Sequence, residues 1–271
     1  MSARNSQASK AAARERLRQE RERQVKKDRV RRQLVVAGSA VAVLAVAGGV
    51  GYAVVQANKP SEWETAAKAT SVTAPKNTSG ANGTTVVVGK ASAKKTLELY
   101  EDSRCPVCAT FEQSVGSTVE KDVEEGKYKV RYVGATFIDD VATGEGSKNA
   151  LSALGAALDV SPEAFLTYKS ALYSTKFHPE ENDDKFAKDS YLLEVAESVP
   201  ALKGNAAFKK NVEEGAFDAW AMKMSKAFDD SGVKGTPTLK MDGKPVTVQG
   251  SDNPPMTSEE FTTAITAALK G

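Results

Sequence analysis

"YEDSRCPVCATFE", Tyr100 to Glu112, holds the two cysteines of the chain, Cys105 and Cys108, three positions apart. Before it, "KTLELY" (95–100) is dense in apolar residues and reads as a strand. After it, Val107, Phe111, Val115, Val119 and Val123 recur at helical spacing, so an amphipathic helix follows. Pro106 suits a first helical turn, where its missing N–H would have no partner, and Gly126 suits the stop. The cysteines therefore fall where a strand turns into a helix.

Three chemistries compete for such a pair. A zinc site needs about four ligands, and the chain offers one Cys-x-x-Cys and a single histidine, His178. Metal binding is not expected. Two buried core thiols are the second reading, but in an oxidising compartment close thiols pair. The third reading is a redox couple. Free N–H groups and partial positive charge at a helix start stabilise a thiolate, which makes Cys105 the attacking, solvent-facing sulfur. Cys108, one turn in, resolves the mixed disulfide. Arg104 reads either as added stabilisation or as a solvated charge; Glu101 and Asp102 oppose a thiolate unless they point elsewhere.

Further out, "TTVVVG" (84–89) and "KYKVRYVGATFI" (127–138) read as strands. Residues of about 140–230 carry 3.6-period stripes, with helix starts at Ser161-Pro162 and Asp183-Asp184 and one long stripe over 205–232. Met222, Met224, Trp220 and Phe228 read as core within that block. "TPTLKMDGKPVTVQG" (236–250) is a hairpin turning at Asp242-Gly243, and "TSEEFTTAITAALKG" (257–271) is a last capped helix. Removing the helical block leaves a small mixed α/β sheet covered by helices. The acidic clusters spell no calcium loop, and neither a Gly-x-Ser-x-Gly elbow nor a phosphate-binding glycine loop is present.

The N-terminal part sets the compartment. Residues 1–33 carry twelve Lys or Arg against four acidic residues, whereas the whole chain is +2. "LVVAGSAVAVLAVAGGVGYAVV" (34–55) is uncharged and reaches the roughly 20 residues that span a bilayer. Basic flanks stay cytoplasmic, so everything beyond is expected outside. "VQA" (55–57) resembles a cleavage site, but the apolar run exceeds the roughly 7–15 residues of a signal core, which favours an uncleaved anchor. The expected organisation is a basic cytoplasmic arm (1–33), a transmembrane helix (34–55), a flexible linker (56–83) and one exported domain (84–271). The arm has an ordinary juxtamembrane pattern, and no nucleic-acid partner is expected.

"GVKGTPTL" (232–239) joins the cysteine motif, because a Thr-Pro before a strand can hold a cis peptide and leave Thr236 to face an incoming peptide. Together the two stretches resemble the signatures of bacterial DsbA-family thiol–disulfide oxidoreductases, of the membrane-tethered Gram-positive kind. The resemblance implies a thioredoxin-like α/β fold with an inserted helical domain, here preceded by a single transmembrane helix. It implies Cys105 as nucleophile, Cys108 as resolving thiol, and Thr236-Pro237 as the facing loop that meets substrate. No organic cofactor is implied. The implied partners are reduced or misoxidised extracytoplasmic proteins and a quinone-linked membrane thiol oxidase, DsbB-like or like vitamin-K-epoxide reductase (VKOR). One departure stands in the redox motif: between the cysteines lie Pro106 and Val107, where familiar oxidising members carry Pro-His. The Val107 side chain cannot donate a hydrogen bond or charge to the thiolate, so a less oxidising couple, a reductase or an isomerase, remains open. A non-catalytic peptide-binding or chaperone module is the reading from another class. His178 matches no motif position and is expected to be an ordinary surface residue.

Overall fold

The computed structural model describes Arg23, Lys26 and Lys27, which are helical, and residues 61–271. The expected membrane helix over 34–55 lies outside the described residues, as does most of the basic arm. Among the described residues no helix is long and apolar enough to cross a membrane.

Five strands form one mixed sheet: β1 (Val86–Val88), β2 (Thr96–Asp102), β3 (Lys129–Ala135), β4 (Thr238–Met241) and β5 (Lys244–Pro245), in the order β1-β3-β2-β4-β5. β2 and β3 run parallel, with Leu99 beside Tyr132 and Tyr100 beside Val133; the other pairings are antiparallel. Successive strand residues face opposite ways, so Tyr100 and Tyr132 project from opposite faces. Phe228 packs edge-on against Tyr100 at 6.2 Å, and Phe165 against Tyr132 at 5.2 Å. Helices therefore cover both faces, and the central strands are buried on both.

The helix after the cysteines comes in three parts: α2 (Pro106–Phe111), a five-residue π-type turn (Glu112–Gly116) and α3 (Ser117–Glu125). Gly126 ends it at φ 79°, a left-handed cap that favours glycine. Phe111, Val115, Val119 and Val123 are buried as their spacing predicts; Val107, at the helix start, is 49% exposed. Asp242 and Gly243 both have positive φ, the requirement of a tight two-residue hairpin. The terminal helix, Ser258–Lys270, carries a reciprocal cap between Thr257 and Glu260.

The insertion between β3 and β4 holds α4 (Ile138–Val141), α5 (Gly146–Val160), α6 (Pro162–Tyr173), α7 (Asp189–Ala196), α8 (Ala206–Glu213) and α9 (Asp218–Asp230). Ser161 caps α6 through the Ala164 N–H. Trp220, Met224 and Phe228 are core, as their stripe predicts, whereas Met222 is only half-buried.

Three expectations are corrected. The single stripe over 205–232 is two helices, because the chain takes a left-handed conformation at Gly215 between them (φ 58°). Asp183-Asp184 does not start a long helix: the Asp184 carboxylate instead accepts from the Glu145 and Gly146 N–H groups, and the regular helix begins at Asp189. The linker is not featureless from residue 61 onward. Ser61 caps α1 (Glu62–Lys68), Lys223 Nζ donates to the Ala67 carbonyl at 3.1 Å, and Trp220 Nε1 donates to the Gly83 carbonyl at 2.9 Å. Those partners come from more than a hundred residues away, so local composition did not reveal them.

Candidate active site

Cys105 occupies the cap position of α2, in an extended conformation, with Pro106 in the first turn. Its N–H donates to the Asp102 carbonyl and its carbonyl accepts from the Ala109 N–H, so the strand end and the helix start both fix it. Both cysteines are free thiols. Cys108 is fully buried and Cys105 is 5% exposed, so the expected solvent-facing sulfur is in fact nearly covered. Pro106 and Val107 form the exposed lip beside it.

The surroundings separate the two thiols. A hydrogen bond from the Cys108 thiol lowers Cys105 from 9.0 to about 6 against the opposing effect of burial, helped by Thr236 and by the backbone N–H groups of Cys108 and Val107. Those two N–H groups are the unpaired donors of the helix start. Burial raises Cys108 well above an ordinary thiol, and the hydrogen bond and charge of Cys105 add to it.

Thr236-Pro237 closes the site from the far end of the sequence. Its peptide bond is cis, and the Thr236 carbonyl lies 3.5 Å from Cys105 Sγ. Thr236 Oγ1 is buried and makes no hydrogen bond of its own among the described residues in this dithiol form, which leaves it free to turn to a thiolate, and Thr236 lowers both sulfurs.

Under the sulfurs lies a charged group that the sequence did not single out. Lys169 Nζ sits 3.1 Å from Glu101 Oε2 and 2.6 Å from Glu112 Oε2, with the rings of Tyr132 and Tyr173 at 5.3 and 5.2 Å. All three charged residues are buried. Burial raises Glu101 to about 7; Lys169 pulls it down, and the charges of Glu112 and Cys105 push it up. A cavity of about 30 Å³ borders Glu101, Ser103, Lys169 and Tyr173, enough for a water molecule. The readable signal was Lys169 itself, placed on the inward stripe of α6 between Phe165 and Tyr173.

Two readings of single residues are corrected. Arg104 is neither solvated nor aimed at the sulfur: it is 1% exposed and ion-paired to Asp139 at 2.8 Å. His178 is not an ordinary surface residue. Its ring stacks on Tyr173 at 5.9 Å and 20°, and Phe186 meets it edge-on. Burial lowers its pKa, and a hydrogen bond to the Ser103 backbone opposes that. Tyr173 in turn packs in one cluster with Cys105, Cys108, Ala109 and Ile138. Asp102, raised to about 6 by burial, accepts from Ser147 Oγ at 2.6 Å and from the Arg104 and Ile138 N–H groups.

A family model described as thioredoxin matches residues 81–267, about two thirds of the chain. Serine/threonine-protein kinase PknE of Mycobacterium tuberculosis is 28% identical over 158 residues, covering 56% of this chain and 27% of the kinase. The chain thus aligns with only about a quarter of that relative's length. Disulfide bond formation protein D of Bacillus subtilis is 23% identical over 159 residues, covering 58% of this chain and 68% of that protein. Among solved structures, reduced DsbA from Mycobacterium tuberculosis superposes with a TM-score of 0.54 at 23% identity, covering 67% of this chain and 100% of that one. The family model spans both the strand-to-helix dithiol and the cis-proline turn that faces it, and the chain belongs to the thioredoxin family, with the fold of the DsbA-type thiol–disulfide oxidoreductases.

Proposed function

We propose that the chain is an exported, membrane-tethered dithiol–disulfide oxidoreductase that passes its disulfide to newly translocated proteins. The observation that carries this reading is the lowered Cys105 thiol beside the raised Cys108 thiol. In thiol exchange the sulfur of lower pKa is the better leaving group. A substrate thiolate attacks Sγ of Cys105 in the oxidised pair, the Cys105–Cys108 bond breaks, and Cys108 departs with the electron pair and takes a proton. Glu101, titrating near 7, is the nearby acid for that proton. A second substrate thiolate then attacks its partner sulfur in the mixed disulfide and expels Cys105 as a thiolate. The substrate loses two electrons and the protein pair gains them.

The same resemblance supplies the rest of the cycle. A quinone-linked membrane thiol oxidase takes the two electrons back, and residues 34–55 hold the domain at the outer face of the bilayer with the basic arm inside. Thr236 and Pro237 receive the substrate backbone, and Val107 with Pro106 borders it. The aliphatic Val107 lacks the charge and donor that a histidine would bring, and this favours a second reading, a reductase or isomerase of the same fold. Mixed disulfides trapped on Cys108→Ala, together with the reduction potential of the pair, test both. Captured exported clients and an oxidising potential support the proposal. A pair found reduced in cells overturns the oxidase direction, and a Cys105→Ala chain with full activity overturns the enzyme reading.

A further inference from the structure

We propose that Arg104 is a positioning residue for the exchange reaction, fastened by the helical insertion so that it fixes the turn carrying Cys105. This rests on the redox reading of Cys105 and Cys108. The guanidinium is gripped from three directions. Nη1 lies 2.8 Å from Asp139 Oδ1 on α4 and 3.2 Å from Asp184 Oδ1, and Nη2 donates to the Glu181 carbonyl at 2.7 Å. Nε has no partner. The anions are themselves held: Asp139 accepts from the Ser147 and Lys148 N–H groups, and Asp184 from those of Glu145 and Gly146. A side-chain carbon at Gly144 would land on Nη1, and one at Gly146 on the Asp184 carboxylate, so the backbone is shaped to the clasp.

Three of the four segments meeting here belong to the insertion; the fourth is the redox turn. The loop that supplies Glu181 and Asp184 also brings His178 against Ser103, so it bears on both residues just before Cys105. Burying a guanidinium is costly unless it is fully paired, and the fold commits two carboxylates and a carbonyl to this one. The acidity of Cys105 depends on where Sγ lies relative to the Val107 and Cys108 N–H groups and Thr236. A displacement of about 1 Å is enough to damage such geometry. Arg104 acts through position rather than charge, because its own charge is already spent on Asp139 and Asp184.

The test uses the full chain, with Arg104→Lys and Arg104→Met, and reads the thiolate absorbance of Cys105 against pH and the equilibrium with glutathione. Both variants should raise the thiolate pKa and shift the glutathione equilibrium toward the protein disulfide about tenfold, or about 30 mV. Lysine keeps the charge but not the fork, so a Lys variant that behaves as wild type, or a folded Met variant that does, overturns the proposal. Should both fail to fold, Asp184→Asn decides: it weakens the loop arm and its hold on the Glu145 and Gly146 N–H groups but leaves the Asp139 pair in place, and a shift of about threefold supports the role while no shift overturns it. A wild-type thiol that titrates like free cysteine would instead overturn the redox reading, and this inference with it.

Discussion

Cys105 and Cys108 share one helical turn, and their surroundings treat them oppositely. Around Cys105 the Cys108 thiol donates, and Thr236 and the N–H groups of Cys108 and Val107 lower the sulfur further, while the Thr236 carbonyl accepts from the protonated thiol. Around Cys108 the helix start is behind it, and what remains is burial and negative charge, from Cys105 and from Glu101. One residue type in one motif thus yields a good leaving group and a reluctant one. The donation of the Cys108 thiol to Cys105 and the burial of Cys108 make most of the difference, and the free N–H groups at the helix start add to it.

Replacing the sulfurs separates the two roles most sharply. Cys105→Ser should lower exchange by on the order of 1,000-fold or more, since a nucleophile is removed, and should remove the thiolate absorbance near pH 7. Cys108→Ala should keep a thiolate absorbance but move it to higher pH, since the Cys108 thiol no longer donates to Cys105, and should accumulate mixed disulfide with a disulfide-bonded peptide, whose other sulfur leaves as a thiolate. Mass spectrometry of the adduct checks it, and an adduct on Cys108 in the serine variant would reverse the assignment.

The next largest effect concerns the charges on the Cys108 side. Lys169→Met leaves Glu101 and Glu112 buried without their cation, and breaking a buried pair this way costs about 3–5 kcal/mol. Denaturant unfolding measures the loss. Methionine is close in size, so an unchanged midpoint would mean that the carboxylates are protonated and need no lysine.

The comparison also predicts a pH dependence. The Cys105 thiol falls from 9.0 unfolded to about 6 folded. A lowered acid contributes stability that is complete above 9, shrinks as pH falls, and is gone below about 6. Only the reduced protein has this thiol, so reduced minus oxidised stability should rise across pH 6–9 by up to about 4 kcal/mol. Glu101 acts with the opposite sign: raised from 4.5 to about 7, it withdraws stability as pH climbs through that window. It is present in both redox forms, so the subtraction removes all of it but the part that the Cys105 charge adds. A flat difference curve would show that the sulfurs are not split.

How far the sequence disclosed this depends on the range of each interaction. The redox turn, the hairpin at Asp242-Gly243, the Gly126 stop and the Thr257–Glu260 cap are local, made by residues within a few positions of one another, and each could be read from a short stretch. The meeting of Cys105 with Thr236, 131 residues away, came from joining two motifs and from the resemblance. Nothing local marks Lys169 as the partner of Glu101 and Glu112, which are 68 and 57 positions away. Arg104 read as exposed because the acids that bury it arrive from the insertion. Charged residues are the hardest to place from sequence, since their burial depends on partners that spacing does not show.

The smallest expected effects refine the proton path on each side. Glu101→Gln keeps the shape of the carboxylate but cannot exchange a proton. Resolution of the mixed disulfide by Cys108 should slow about tenfold, less than the roughly 100-fold low end for losing a general base because water substitutes, and its pH profile should lose the inflection near 7. Thr236→Val keeps the shape and removes the hydroxyl from both sulfurs, so both thiols should rise, Cys105 by less than about one unit, the worth of roughly one neutral hydrogen bond. The pair of variants tells the two surroundings apart. Glu101→Gln should leave the Cys105 titration nearly in place while slowing Cys108, whereas Thr236→Val should move Cys105 with little change in the proton uptake by Cys108. If the glutamine variant moved Cys105 as far as the valine variant does, the two sulfurs would be titrating as one unit, and the division of labour within the turn would have to be given up.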